Sequence, residues 1–325
     1  MIIHLKFAHL RLHFRARECL KLPPYKGSTF RGAFGMTFKR TVCIVQHKDC
    51  DRCLIRNQCV YPYVFDTPVE TGSGIFRGFS EAPHPYIIEP PLESKTDYAT
   101  GDEFEVGLVV IGRALHHLPY FIYTFQRLGE TGIGRGRGKC DLISGKARQA
   151  DGTYVPVYDG EQETLSEVPI LTSSDFAHDL GNRVAVHFLT PTQLKADQKF
   201  KHGLDFSLLV RGLLRRVSAL STFHGDGPPD MVFQDLVDQA SHIKTVDHHL
   251  RWSSYERYSN RKQERMTMGG FVGQVAFEGD LAPFAPLIQL GVPLHVGKGT
   301  SFGMGQYTLE NKITKLQGEQ DGAFH

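Results

Sequence analysis

No run of eighteen consecutive apolar residues occurs anywhere in this chain of 325 residues, so no membrane-spanning helix is expected. Met1-Ile2-Ile3-His4-Leu5-Lys6 also lacks the layout of a signal peptide, and the expected location is the cytoplasm. There is no Walker lysine motif and no Asp/Glu cluster suited to a catalytic metal, which argues against nucleoside triphosphate chemistry. Net charge is small as well, a formal +2, but its distribution is uneven. Before residue 60, Lys6, Arg11, Arg15, Arg17 and further cations are opposed only by Glu18, Asp49 and Asp51, which reads as a basic surface.

What the chain does have is glycine in two dense segments. His295-Val296-Gly297-Lys298-Gly299-Thr300-Ser301-Phe302-Gly303-Met304-Gly305 echoes Leu128-Gly129-Glu130-Thr131-Gly132-Ile133-Gly134-Arg135-Gly136-Arg137-Gly138-Lys139. Each follows an apolar, helix-like stretch ending in Leu-Gly and leads into a strand-like run. Such glycines permit positive φ and let successive backbone N–H groups face an anion. Lys298, Arg135, Arg137 and Lys139 among them favour phosphate, and a polyanion lying across the surface means nucleic acid.

Periodicity gives the same unit twice. His4 to Arg15 alternates as a strand whose apolar phase slips near Ala8 and His9, suggesting a bulge. Phe30, Phe34, Phe38 and Val42 recur every four residues on a helix starting near Gly27-Ser28, and that spacing marks core rather than a stacking platform. A strand over Phe104 to Ile111, a helix over Leu115 to Leu128 and a strand over Lys139 to Ile143 complete the first half. Strands over Arg183 to Leu189, Phe271 to Phe277 and Phe302 to Leu309, with helices over Leu204 to Leu220 and Ala282 to Leu290, repeat the order. With one strand of each half not located, the fold class is α+β: two tandem ferredoxin-like β-α-β-β-α-β domains, whose open sheet faces suit an RNA strand. The expected division is a first domain over 1–150, an acidic linker or long loop over 151–182, a second domain over 183–312 and a tail over 313–325.

Cys43, Cys50, Cys53 and Cys59 fall within seventeen residues in a charged segment, a spacing suited to structural zinc. An iron–sulfur cluster and disulfides are the alternatives, the latter disfavoured in a cytoplasmic chain. His47 lies inside the cluster and could join its ligands. Arg257, Arg261, Lys262 and Arg265 are interleaved with Trp252, Tyr255 and Tyr258, a pattern that pairs base stacking with phosphate contacts. Arg211, Arg215 and Arg216 fall together on the polar side of their helix.

The terminal glycine loop, the Arg257-Tyr258-Ser259-Asn260-Arg261-Lys262-Gln263 segment before Gly269-Gly270-Phe271, and the block Tyr25-Lys26-Gly27-Ser28-Thr29-Phe30-Arg31-Gly32 together resemble the repeat-associated mysterious proteins of CRISPR systems. More narrowly they resemble the CRISPR-associated protein six family, in a branch with clustered cysteines. The resemblance implies an endoribonuclease that cuts precursor CRISPR RNA at its repeats without a catalytic metal. It also implies that the protein keeps the mature guide and has CRISPR effector subunits as possible partners, or else acts as a non-catalytic RNA-binding subunit of such a complex. Family members place a histidine on or just after the first helix, and here none lies between Gly27 and Gln46. His47 and His84, the latter held between Pro83 and Pro85, are the candidate bases. Tyr25 matches the tyrosine position, and Lys26, Lys39 or Arg40 would supply the cation. Arg31 belongs with the expected RNA contacts.

Overall fold

The computed structural model describes residues 3–45, 49–67, 82–194, 204–230, 233–259 and 264–310. His47, Arg261, Lys262 and the proposed tail lie outside them. In chain order the first half comprises β1 (Lys6–Ala16), β2 (Leu20–Lys21), α1 (Gly27–Val42), α2 (Val60–Phe65), β3 (Tyr86–Glu89), β4 (Asp97–Tyr98), β5 (Glu103–Ile111), α3 (Leu118–Thr131) and β6 (Cys140–Arg148). Three further strands follow, β7 (Tyr154–Asp159), β8 (Thr164–Leu165) and β9 (Leu171–Thr172). The second half contains β10 (Arg183–Thr192), α4 (Phe206–His224), α5 (Phe233–Ala240), β11 (Lys244–Ser259), β12 (Glu264–Glu278), α6 (Ala285–Leu294) and β13 (Tyr307–Glu310).

The two halves share one topology. The first sheet runs β3-β5-β1-β6 before β7 and β8 extend it, and the second runs β11-β12-β10-β13. Numbered within each half, both read second, third, first, fourth, with helices after the first and third strands, which is the ferredoxin-like plan. The two strands missing from the periodicity are β3 and β11. The acidic stretch 151–182, expected as a linker or long loop, instead carries β7, β8 and β9. β7 pairs onto the free edge of β6, β8 onto β7 and β9 onto β1, so backbone groups of this stretch are satisfied by the sheet.

In the first half, α1 presents Phe30, Phe34 and Phe38, all fully buried, to α3, where the Phe34 ring lies 5.0 Å from Phe125 and 5.5 Å from Phe121. The four-residue spacing places these rings on one stripe, and their burial holds α1 against the sheet. The phase slip in β1 is not a bulge at Ala8: pairing with β5 runs without interruption through Phe7, Ala8 and His9. Instead the buried face changes. Leu5 and Phe7 point into the core of the second half, whereas Leu10, Leu12 and Phe14 point into that of the first. A register shift does occur later, between His13 and Phe14 against β6. Because Ile87, Val109 and Ile111 also join the second core, the halves are packed together and not merely tethered.

Candidate nucleic-acid interface

Both glycine segments are loops between the second helix and the fourth strand of their half, as their echo in sequence implies. The first has positive φ at Gly132, Gly134, Gly136 and Arg137, the second at Gly297, Gly299, Gly303 and Gly305. A side chain at Gly305 would run into the Val296 carbonyl, so glycine is required there by backbone proximity as well as by φ. The two loops brace the same segment of the first half. The Arg135 N–H donates to the Lys21 carbonyl at 2.9 Å, and the Tyr25 hydroxyl donates to the Phe302 carbonyl at 2.8 Å. Arg135, Arg137 and Lys298 stand exposed on the loops. Lys139 is partly exposed, with Glu18 at 3.8 Å.

The second loop is anchored across the halves by a buried carboxylate. Glu89, at the end of β3, is 2 % exposed. It accepts from His295 Nε2 at 3.1 Å and His9 Nε2 at 3.0 Å, with Arg11 Nη1 at 3.1 Å. The other ring nitrogen of His295 faces the Met304 carbonyl at 3.0 Å. Both His295 nitrogens therefore face oxygens, one on each half of the chain. Burial alone would raise the Glu89 pKa, but His9, His295 and Arg11 outweigh it and hold the carboxyl well below its ordinary range.

Several expected site residues are placed otherwise than the sequence implied. Lys26 is fully buried, and its ammonium donates to the Glu93 carbonyl at 2.5 Å, so it presents no charge to a ligand. Burial lowers its pKa, partly offset by Glu93. Lys39 sits over the Tyr61 ring at 5.4 Å beside Cys50, at the other end of α1 from Tyr25. Arg40 is exposed in the same last turn. Tyr25 is itself buried against Tyr255, with ring centroids 4.2 Å apart, and burial followed by Tyr255 drives its pKa well above the ordinary tyrosine value. The basic surface before residue 60 is partly neutralised, because Arg11, Arg15 and Arg17 pair with Glu89, Glu103 and Asp141. The open face of the first sheet is accordingly a ladder of ion pairs, with Lys146 joining Glu105 at 2.9 Å, and not a stacking platform for bases.

His84 lies against Tyr86, with its Nε2 accepting from Arg31 Nη2 at 3.3 Å. Arg31 in turn stacks over Phe65 and over Phe302 of the second loop, 5.1 Å from each ring. Burial first, then Arg31, Arg216 and His224, pull the His84 pKa down to about 3. Arg216 is not on a polar face: it is 8 % exposed, and burial brings its pKa down to about 9. Arg211 and Arg215 are exposed. On the long β11-β12 hairpin Trp252 is 59 % exposed. The backbone of Arg257 pairs with Met266 near the end of that hairpin.

Cys43, Cys50, Cys53 and Cys59 all line one small cavity of about 10 Å³, together with Lys39 and Tyr61, and all six cysteines of the chain are free thiols. Among the described residues no group of three or more His, Cys, Asp or Glu side chains is arranged to hold a metal ion. No helix among them is long and apolar enough to cross a membrane.

The fold and site define a tandem ferredoxin-like protein with a glycine loop locked between its halves. A family model described as CRISPR-associated endoribonuclease Cas6 matches residues 186–307, and one described as the AF_1859_N N-terminal domain matches residues 5–170. The AF_1859_N model spans half of the chain and places it in that family, while the second half is similar to the Cas6 endoribonucleases. An uncharacterized protein of Archaeoglobus fulgidus is 24 % identical, over 89 % of this chain and 93 % of that protein. Among solved structures, the product complex of Cas6 (TTHB231), a Thermus thermophilus protein, superposes with a TM-score of 0.56 at 13 % identity, covering 94 % of this chain and 99 % of that one. The Cas6 (TTHA0078) product complex gives 0.52 at 16 % identity, covering 94 % and 99 %. A partial Cas6-RT-Cas1-Cas2 complex gives 0.57 at 14 % identity, covering 97 % of this chain and 48 % of that longer chain.

Proposed function

We propose that the protein binds the repeat of a precursor CRISPR RNA across its two glycine loops, cleaves it without a metal ion, and retains the mature guide. The observation that carries this reading is the convergence of both loops, with exposed Arg135, Arg137 and Lys298, on the segment that leads into α1. In the reaction, the ribose 2′-oxygen bonds to the adjacent phosphorus while the bond to the 5′-oxygen breaks. The 2′-proton passes to a base and the leaving oxygen takes a proton, which leaves a 2′,3′-cyclic phosphate and a 5′-hydroxyl. His84 and His47 are the candidate bases. His84 is neutral near pH 7, but a pKa of about 3 makes it a weak base before RNA arrives. Alignment of the RNA backbone and cationic stabilisation then carry most of the rate, giving slow, effectively single-turnover cleavage. Tyr25 serves as the residue that positions the second loop.

Repeat RNA incubated with the protein in EDTA is expected to yield cyclic-phosphate ends. Tight binding without cleavage would instead make it an RNA-binding subunit, and cleavage that needs added divalent metal would refute the mechanism. Lys298→Ala and Arg135→Ala should each weaken RNA binding and reduce the slope of log affinity against log salt by roughly 1, since each removes one phosphate contact. Parallel salt series for wild type and variants would remove the loops from the interface.

Structural zinc at Cys43, Cys50, Cys53 and Cys59 belongs to the same proposal, supported by the four thiols sharing one cavity beside the Lys39 ammonium, which favours thiolates. Elemental analysis of purified protein should find about one zinc per chain, the stoichiometry of one tetrahedral site. Protein that is free of zinc and iron yet unchanged in melting temperature would reject it.

A further inference from the structure

We propose that Arg31, His84 and Arg216 form an anion site, roofed by the second glycine loop, that takes a phosphodiester group of the RNA. This deepens the RNA reading above and rests on it. The three side chains come from α1, from the residues just before β3, and from α4, so the site exists only because the halves are packed together. Arg216 reaches in from α4 with its Nε donating to the Leu294 carbonyl at 3.2 Å, immediately before the loop, while its buried Nη2 has no hydrogen-bond partner. Arg31 Nε and His84 Nδ1 are likewise buried without a partner. Among the described residues neither arginine has a carboxylate within ion-pair distance. By contrast, the cleft of about 400 Å³ lined by His9, Arg11, Glu89, Glu93, Glu105 and Arg148 mixes both signs, with no excess for an anion.

Two guanidinium groups placed in a low-dielectric setting without a counter-charge oppose folding. Their retention is explained if an anion completes the set. The orphaned donors then supply charge-assisted hydrogen bonds, and arginine geometry matches the paired oxygens of a phosphate. Entry is through Arg31 and His84, each of which keeps part of its surface exposed. The Phe302 ring over Arg31 and the Tyr25 bond to the Phe302 carbonyl tie this site to the loop that carries Lys298.

The test compares wild type with Arg216→Met and Arg216→Lys, using inorganic phosphate and, separately, a repeat RNA blocked by a 2′-deoxy substitution at the cleavage position. In phosphate-free buffer Arg216→Met should melt no lower than wild type, because an unpaired buried charge has been removed. Phosphate should raise the melting temperature of wild type above that in sodium chloride of equal ionic strength, and this increment should vanish in Arg216→Met and return in part in Arg216→Lys. Affinity for the blocked RNA should fall roughly tenfold in Arg216→Met, as loss of a hydrogen bond to a charged group implies. Should Arg216→Met not fold, Arg31→Gln provides the same two readouts. A phosphate increment and RNA affinity both unchanged, or stability and affinity falling together with no phosphate increment in wild type, would overturn the site. A phosphate increment lost in Arg216→Met while wild type fails to bind RNA would retain the anion site and refute the RNA reading instead.

Discussion

Replacing Glu89 with glutamine is expected to lower the unfolding free energy by about 3–5 kcal/mol, the range found when one partner is removed from a buried ionic set. Glutamine keeps the shape but supplies one acceptor oxygen where the carboxylate supplies two, and its amide N–H groups would face donors on His9, His295 or Arg11. The pH dependence gives an independent signature. The carboxyl is held below its ordinary value of 4.5, so it stabilises the fold fully above that value, and the contribution is lost as pH falls towards the depressed folded value. Urea midpoints followed from about pH 7 to about pH 3 should therefore drop for wild type below about pH 4.5, with this component absent from Glu89→Gln. Equal midpoints for the two proteins at neutral pH would show that the cluster does not lock the halves. Because Glu89 also holds His295 at the root of the second glycine loop, RNA binding should weaken in the same variant even under conditions where it remains folded.

The parts of this arrangement that are legible in the sequence are those written locally. Phe30, Phe34 and Phe38 specify α1 by spacing alone, and the two glycine loops declare the duplication because the same backbone problem recurs in each half. β3 escapes a periodicity argument because Tyr86, Ile87, Ile88 and Glu89 are all buried, so no alternation exists to detect. β11 escapes it for the opposite reason: much of the hairpin is solvated, and Lys244, His248, His249 and Arg251 are exposed along it. Glu89 meets His9 and His295 across sequence separations of 80 and 206 residues, and nothing near Pro90-Pro91 announces either contact. Arg216 departs from the polar face expected for it because α4 is buried around most of its circumference, so that a charge between Arg215 and Val217 need not face water. The excess of cations before residue 60 is real in sequence, but its partners Glu89, Glu103 and Asp141 lie on later strands that only the sheet brings alongside.

Two alanine substitutions on α1 should act with opposite signs. Gly27 starts the helix against the second loop, and a Cβ there would fall inside contact distance of the Phe302 carbonyl oxygen and close to the Tyr25 ring. A backbone carbonyl cannot rotate aside as a side chain does, so the loop must lift from the helix, breaking the Tyr25 hydrogen bond that holds it. Gly27→Ala should cost about 1–3 kcal/mol, the usual penalty for overpacking, and should reduce RNA affinity by more than the Lys298→Ala substitution does. Gly32 lies on the same helix with no atom within 4 Å of the place a Cβ would occupy, so Gly32→Ala should stabilise the protein by about 0.5–1 kcal/mol through helix propensity. Its RNA affinity should match wild type. Thermal unfolding and RNA binding measured on the pair separate helix propensity from loop placement. If Gly27→Ala proved as stable and as competent as Gly32→Ala, the loop would not depend on its seat at the start of α1, and the route by which both halves reach one RNA backbone would have to run elsewhere.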